Sequence, residues 1–121
     1  MWSALTTKQG RPQNAWVGAT VDRQNRVQPT ITAMRKVKAK VRFVSYEPLL
    51  EELKFPTMKH FGWVIIGARS SHGALSEFQP EVAWVNSLIV QAHDAGCKVY
   101  CKPNLRWSIR EYPTPKRLGK A

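Results

Sequence analysis

The sequence predicts an α/β domain built on a parallel sheet, and two features of its pattern carry that prediction. Four short apolar runs rich in β-branched and aromatic residues recur along the 121 residues, and each ends abruptly in polar residues. Segments with helical periodicity alternate with these runs, and such a β-α-β order implies parallel strands joined by right-handed crossovers. We therefore expect about four parallel strands alternating with three helices.

The predicted strands are the runs AWVGATVD, KVRFVSYEP, GWVIIGARSS and CKVYCKPN, at residues 15–22, 40–48, 62–71 and 97–104. The third run is apolar at almost every position, as expected of a strand covered on both faces. The stretch SALTTK near the amino terminus looks like the end of one more strand. We therefore expect the chain to begin inside a larger fold.

The helical segments differ in how clearly they are marked. The segment at 80–96 opens with Pro80, carries an apolar stripe and closes with Gly96, which is typical of an amphipathic helix. The segment at 28–40 has Pro29 in its first turn and ends in lysines. Between the second and third strands, residues 49–61 have room only for a short helix before Pro56.

Charge is the most unusual bulk property of the chain. Nineteen Lys and Arg against eight Asp and Glu give a net charge of +11, which favours a polyanionic partner such as nucleic acid. A basic proteome, or an acidic half located elsewhere, explains the same number. The basic residues group at 35–42 and in a proline-containing tail at 106–121, which we expect to be a surface arm or disordered, following a domain at 1–105. Trp107 and Tyr112 are the candidates for base stacking, whereas Trp16, Trp63 and Trp84 are expected to pack inside.

Several classes of protein lose support from what the sequence lacks. No apolar run is long enough to span a bilayer and no signal peptide is visible, so we expect a cytoplasmic protein without a membrane partner. Dinucleotide-binding, nucleotide-triphosphate and hydrolase glycine motifs are missing. His60, His72 and His93 share no ligand spacing, and we expect no metal site.

The cysteines Cys97 and Cys101 are separated by three residues. In a strand, residues four apart share a face but lie about 13 Å from each other, at about 3.3 Å per residue. A disulfide needs α-carbons within about 7 Å, so this pair can neither form a bridge nor share one metal ion. We interpret both as buried, unreactive thiols.

Ligands of parallel α/β folds bind outside the carboxyl ends of the strands, and polar residues gather there in this sequence. The candidates are Thr20 and Asp22, Ser45 and Glu47, Arg69, Ser70 and Ser71, and Lys102 and Asn104. Each of them can also simply cap the next helix or face water.

Four segments resemble, in order and spacing, the carboxyl half of a phage-associated radical-SAM-like protein family of unknown function. They are NAWVGATVDRQ, KAKVRFVSYEPLL, FGWVIIGARSS and PEVAWVNSLIVQAHDAGCKVYCKPNL. The resemblance spans nearly the whole chain and implies a partial, TIM-type β/α barrel. Family members hold an iron–sulfur cluster on an amino-terminal three-cysteine loop, and the cluster binds S-adenosylmethionine. Cys97 and Cys101 lie at the far end with the wrong spacing, so we expect no cluster ligation by this chain.

The resemblance also implies roles for the strand-end residues. Glu47, in a Ser/Cys-x-Glu-Pro element, and Lys102, the lysine ending the last strand, become the candidate catalytic residues. The implied cofactor-binding residues are Thr20, Asp22, Ser45, Gly67 and Ser70. Arg69 departs from the pattern, because family members usually carry an acid there.

Two functions follow as hypotheses. The first is the carboxyl half of a radical-SAM-like barrel that contributes cleft residues and binds S-adenosylmethionine, and the second is a basic nucleic-acid-binding module. An inactive remnant of a phage gene is a third interpretation. Because four strands cannot close a barrel, we expect the chain to self-associate or to pair with an amino-terminal half.

Overall fold

Four parallel strands form one sheet in the order β1-β2-β3-β4 in the computed structural model, which describes residues 15–69 and 78–114. The strands are β1 (Trp16–Thr20), β2 (Val41–Tyr46), β3 (Trp63–Ile66) and β4 (Lys98–Cys101). The predicted α/β class and parallel sheet are therefore confirmed. The stretch SALTTK lies outside the described residues.

Two of the three predicted helices are present. A 3-10 turn at Gln24–Arg26 leads into α1 (Val27–Met34), and α2 (Val82–Asp94) precedes β4. Pro29 lies in the first turn of α1, where its missing N–H costs nothing. Gly96 follows α2 with φ +83, the left-handed conformation that ends helices and that glycine adopts without strain.

The third predicted helix, between β2 and β3, is wrong. Residues 49–61 contain no helix, yet Leu49, Leu53, Met58 and Phe61 are all buried. Proline at position 56 limits any helix in this segment, and side-chain amides satisfy its backbone groups instead.

Two glutamines provide those amides. Gln24 donates to the Lys54 carbonyl at 2.9 Å and accepts from the Lys54 N–H at 2.8 Å. Gln91, on α2, donates to the Leu53 carbonyl at 2.9 Å and accepts from the Phe55 N–H at 2.9 Å. These four hydrogen bonds fix the segment to the 3-10 turn before α1 and to α2.

One face of the sheet carries the core. The alternating residues Val17, Val44, Val64 and Val99 are buried in one cluster with Ile31 and Met34 of α1 and Val85 and Leu88 of α2. The other face carries an aromatic row in which Trp63 contacts Trp16, Phe43 and Tyr100 at ring-centroid distances of 5.9–6.1 Å. Trp16 is 45% exposed, so the prediction that it packs inside is wrong. Neither α1 nor α2 contributes to this row.

The described part of the tail is not a free arm. Cys101 donates its N–H to Ile109 at 2.8 Å, Glu111 donates its N–H to Val99 at 2.8 Å, and Tyr100 and Arg110 form an antiparallel bridge. The Glu111 carboxylate also accepts the Val99 N–H at 2.8 Å and lies 3.0 Å from His93 Nε2. Backbone pairing with an edge strand explains why the described part of the expected surface arm lies against β4.

No helix in the described ranges is long and apolar enough to cross a membrane.

We predict that Gln91→Ala lowers the free energy of unfolding by about 1–3 kcal/mol, because it leaves the Leu53 carbonyl and the Phe55 N–H without partners. Urea denaturation followed by circular dichroism measures the change. Gln28→Ala is the matched control, because Gln28 is exposed and, among the described residues, its side chain donates to the exposed Thr32 Oγ1, at 3.2 Å, rather than to a backbone group. Equal effects of the two substitutions would contradict the prediction.

We predict that protonation of Glu111 loosens the tail from β4. The hydrogen bond from His93 is the main cause of a lowered pKa of Glu111, with smaller help from the Val99 N–H, against the opposing effect of burial. A lowered folded-state pKa stabilises the protein above the unfolded value, about 4.3, and the contribution is lost as the pH falls through the folded value. The protection factor of the Val99 amide, which compares its exchange rate with the intrinsic rate at the same pH, should therefore fall at low pH in the wild type. Glu111→Gln should exchange faster already at pH 7, and a variant that retains full protection would refute the assignment.

Candidate functional site

The backbone ladder continues past the strand ends and places three predicted site residues side by side. The Gly67 N–H donates to the Tyr46 carbonyl at 2.8 Å, and the Lys102 N–H donates to the Ile66 carbonyl at 2.9 Å. Glu47 directly follows Tyr46 at the end of β2. Glu47, Gly67 and Lys102 thus leave three adjacent strands at one edge of the sheet.

Glu47 and Lys102 form an ion pair at this edge. Lys102 Nζ lies 2.6 Å from Glu47 Oε2, the shortest of the ion pairs among the described residues. The Lys102 side chain is 44% exposed and that of Glu47 is 31% exposed, so a ligand can reach both. The structure therefore brings the two candidate catalytic residues together, and their assignment as catalytic remains a prediction.

Gly67 leaves the space that these two side chains fill. A Cβ at this position would lie 3.1 Å from Glu47 Cγ and 3.4 Å from Lys102 Cδ. The first distance is tighter than ordinary van der Waals contact, so any larger residue would push the ion pair outward. Glycine is thus part of the geometry of the pair.

Asn104 holds the loops after β3 and β4 together. Its Oδ1 accepts the Ala68 N–H at 3.1 Å, and its Nδ2 donates to the Ala68 carbonyl at 2.8 Å. The side chain mimics a neighbouring strand and fixes the position of Lys102 relative to Gly67. Its location after a strand made Asn104 a candidate, but the sequence did not indicate this positioning role.

Three further candidates, Thr20, Asp22 and Ser45, make contacts other than the Glu47–Lys102 ion pair. Thr20 and Ser45 are register partners on β1 and β2, and both are half-buried. Asp22 Oδ1 lies 3.2 Å from Arg26 Nε, but the two are not aligned as a hydrogen bond, and this buried oxygen has no other partner among the described residues. Asp22 therefore pairs with the 3-10 turn before α1.

The remaining strand-end candidates follow β3. Arg69 pairs with Phe78 through an antiparallel bridge, and its guanidinium lies 5.8 Å from the centre of the Phe78 ring. Ser70, Ser71 and His72 lie outside the described residues.

Both cysteines are free and buried. Cys97 Sγ lies 3.2 Å from the Phe61 carbonyl oxygen, and burial raises the pKa of this thiol to about 11. Burial also raises the pKa of Cys101, although Arg110 opposes the shift. A thiolate is the reactive form of cysteine, so these environments make the thiols poor nucleophiles and poor ligands at neutral pH.

The described residues contain no group of three or more His, Cys, Asp or Glu placed to share a metal ion. His93 instead pairs with Glu111.

Tyr46 is the largest fully buried side chain, and its hydroxyl has no hydrogen-bond partner within the described chain. Burial, and to a smaller extent the neighbouring Cys97, raises the pKa of Tyr46 well above its ordinary value. Its edge-to-face contact with Phe55, at 5.8 Å between ring centroids, indicates a packing role beneath the strand ends.

Sequence reasoning missed a second group of residues, at the amino ends of the strands. A cavity of about 220 Å³ there is lined by residues that include Lys40, Arg42, Lys59, His60 and Lys98. Burial lowers the pKa of Arg42, whose Nη1 donates to the Met34 carbonyl at 3.1 Å. The sequence does contain a signal for this group, because a basic residue stands shortly before or at the start of each of β2, β3 and β4.

Comparison with known protein families identifies a match over almost the whole chain. The family model described as "Protein of unknown function (DUF5131)" matches residues 1–120. No curated protein and no solved structure matches the chain significantly. Because the match spans almost the entire chain and includes every strand and helix described above, the chain belongs to the DUF5131 family.

Proposed function

We propose that the chain is the carboxyl-terminal half of a β/α barrel of the radical-SAM type, of phage-associated origin, and that its strand-end edge binds S-adenosylmethionine. The observation that carries the proposal is the 2.6 Å ion pair between Lys102 and Glu47, which lies over Gly67 where ligands of parallel sheets bind. The resemblance of the segments around these residues supplies the identity of the ligand.

The chemistry of the donor set fits this ligand. S-adenosylmethionine carries an α-amino group, an α-carboxylate and a ribose diol. The Lys102 ammonium complements the carboxylate, and the Glu47 carboxylate complements the ammonium or accepts from a ribose hydroxyl. The carboxylate of the ligand can therefore bind Lys102 in place of Glu47, and its ammonium can bind Glu47 in place of Lys102.

The proposal concerns binding alone. Radical chemistry of S-adenosylmethionine requires an electron from an iron–sulfur cluster, and such clusters are held mainly by cysteine thiolates. The buried thiols Cys97 and Cys101 do not form such a ligand set. Radical chemistry at this edge would thus need cluster ligands other than these two cysteines.

We predict that the full chain binds S-adenosylmethionine, and that Glu47→Gln and Lys102→Ala each weaken the affinity about tenfold or more, as expected when a charge-assisted contact worth about 1.4 kcal/mol is lost. Isothermal titration calorimetry measures the dissociation constants. Lys54→Ala is the matched control, because Lys54 forms an exposed 3.5 Å ion pair with Glu52 away from the strand ends.

Two results would contradict this prediction. One is the absence of binding heat with the wild-type chain. The other is equal affinity of the wild type, Glu47→Gln and Lys102→Ala, which would place the ligand elsewhere.

The open sheet supports self-association as a further part of the proposal. Within the described residues β1 pairs only with β2, so no described strand hydrogen-bonds to its other side. An open strand edge of this kind is a template for pairing with another chain. The aromatic face of the sheet also lacks a covering helix among the described elements, whereas parallel sheets are normally covered on both faces.

We predict a mass above the 13.8 kDa of one chain in multi-angle light scattering at micromolar concentration. A second chain that pairs along β1 buries the free edge, and the mass should fall on tenfold dilution if that contact is reversible. A monodisperse 13.8 kDa species across the dilution series would overturn the prediction.

A nucleic-acid partner remains the alternative function that the net charge of +11 favours.

A further inference from the structure

Six basic residues line two adjoining cavities. One lies at the amino ends of β2, β3 and β4, the edge opposite the Glu47–Lys102 pair, and the other is lined by α1 and by the segment before β3. The first cavity, of about 220 Å³, is lined by Lys40, Arg42, Lys59, His60 and Lys98 among others. The second, of about 340 Å³, shares Lys59 and His60 with the first and adds Arg35. We call the two together the amino-edge groove. The described residues that line it include no Asp or Glu.

The three lysines of the groove form no ion pair among the described residues. No described carboxylate lies within ion-pairing distance of Lys40, Lys59 or Lys98. The charge of Lys98 contributes to the lowered pKa of Glu111. The Glu111 carboxylate, however, already pairs with His93 and accepts the Val99 N–H. The lysine ammonium groups therefore remain available for an anionic ligand.

The backbone and one arginine make the groove a fixed structure. Arg42 Nη1 donates to the carbonyls of Met34 and Val37 at 3.1 and 3.5 Å, which holds its guanidinium against the end of α1. The Lys98 N–H donates to the Gly62 carbonyl at 3.1 Å, and the Gly62 N–H donates to the Arg42 carbonyl at 2.7 Å. The strand starts that present the basic side chains are thus tied to one another.

Two exposed aromatic rings adjoin the groove. Tyr112 is 64% exposed and directly precedes Pro113 and Thr114, which line the first cavity. Trp16 is 45% exposed and is the register partner of Val41, another lining residue. Both rings contact Trp63, at 6.0 and 5.9 Å between ring centroids. Exposed rings beside a basic groove are the combination that binds single strands, because bases stack on the rings while phosphates follow the cations.

We propose that the amino-edge groove binds a single-stranded nucleic acid, with backbone phosphates at Lys40, Lys59 and Lys98 and bases against Tyr112 and Trp16. Two adjoining cavities that share a basic wall suit successive phosphates of a chain better than one small anion. The six residues of β2 separate this edge from the Glu47–Lys102 edge by about 20 Å, at about 3.3 Å per residue. The groove is therefore independent of the ligand proposed for the other edge.

The test is fluorescence anisotropy with a labelled dodecamer of deoxythymidine, titrated with the full chain at several salt concentrations. We expect the double variant Lys59→Gln/Lys98→Gln to bind at least tenfold more weakly at low salt. Its slope of log affinity against log salt should be shallower by about 1.4, since each phosphate contact on a single strand contributes about 0.7.

The matched control is the double variant Lys36→Gln/Lys38→Gln. It removes the same charge from the basic segment 35–42, but both side chains are exposed and neither lines the groove. We expect its affinity to stay within threefold of the wild type. Equal losses in the two double variants would show attraction by net charge alone and overturn the proposal. Thermal unfolding of each variant verifies the fold, and Lys98→Gln alone replaces the double variant if that one fails to fold.

Further arms of the experiment separate the kinds of ligand. Tyr112→Ala should weaken binding of the single strand about fivefold or more and leave binding of a duplex of the same length unchanged, because paired bases are not free to stack. Tighter binding of the duplex than of the single strand would overturn the proposal. So would displacement of the oligonucleotide by inorganic pyrophosphate at the same molar concentration of phosphate, since the groove would then be a site for a small phosphorylated molecule.

Discussion

The parallel hydrogen-bond ladder of the sheet is the constraint on which the rest of the structure depends. Because all four strands point the same way, all carboxyl ends meet at one edge and all amino ends at the other. The two edges then differ in chemistry. The carboxyl edge holds an ion pair of opposite charges, Lys102 and Glu47, whereas the amino edge gathers lysines without described acidic partners.

Side chains complete the fold where regular secondary structure is missing. The amides of Gln24 and Gln91 satisfy backbone groups of the segment before Pro56, and the amide of Asn104 does the same for Ala68. These contacts join parts of the chain far apart in sequence: the glutamines tie the segment after β2 to the 3-10 turn and to α2, and Asn104 ties the loop after β3 to the loop after β4. A buried backbone group without a partner costs more than the bond itself returns, which explains why the amides are placed there.

Packing changes the chemical role of residues in the tail and of the two cysteines. Glu111 lies in a segment with the composition of a surface arm, yet its carboxylate and backbone bind β4. Cys97 and Cys101 have the spacing that draws attention in a sequence, but burial suppresses their thiolates. Pairing with β4 thus decides the role of Glu111, and burial in the core decides the reactivity of the two cysteines.

The sequence by itself determined the parallel α/β class, the positions of the four strands and of α1 and α2, and the gathering of Glu47 and Lys102 at one edge. These features follow from local periodicity and from the direction of parallel strands, and both are visible in the order of residues. Only the tertiary structure decided that residues 49–61 form no helix, that Asp22 pairs with Arg26, and that Lys40, Lys59 and Lys98 share a groove. Each of these depends on contacts between residues that meet only after the strands have paired. No local pattern records which distant amide or charge will lie opposite a given residue.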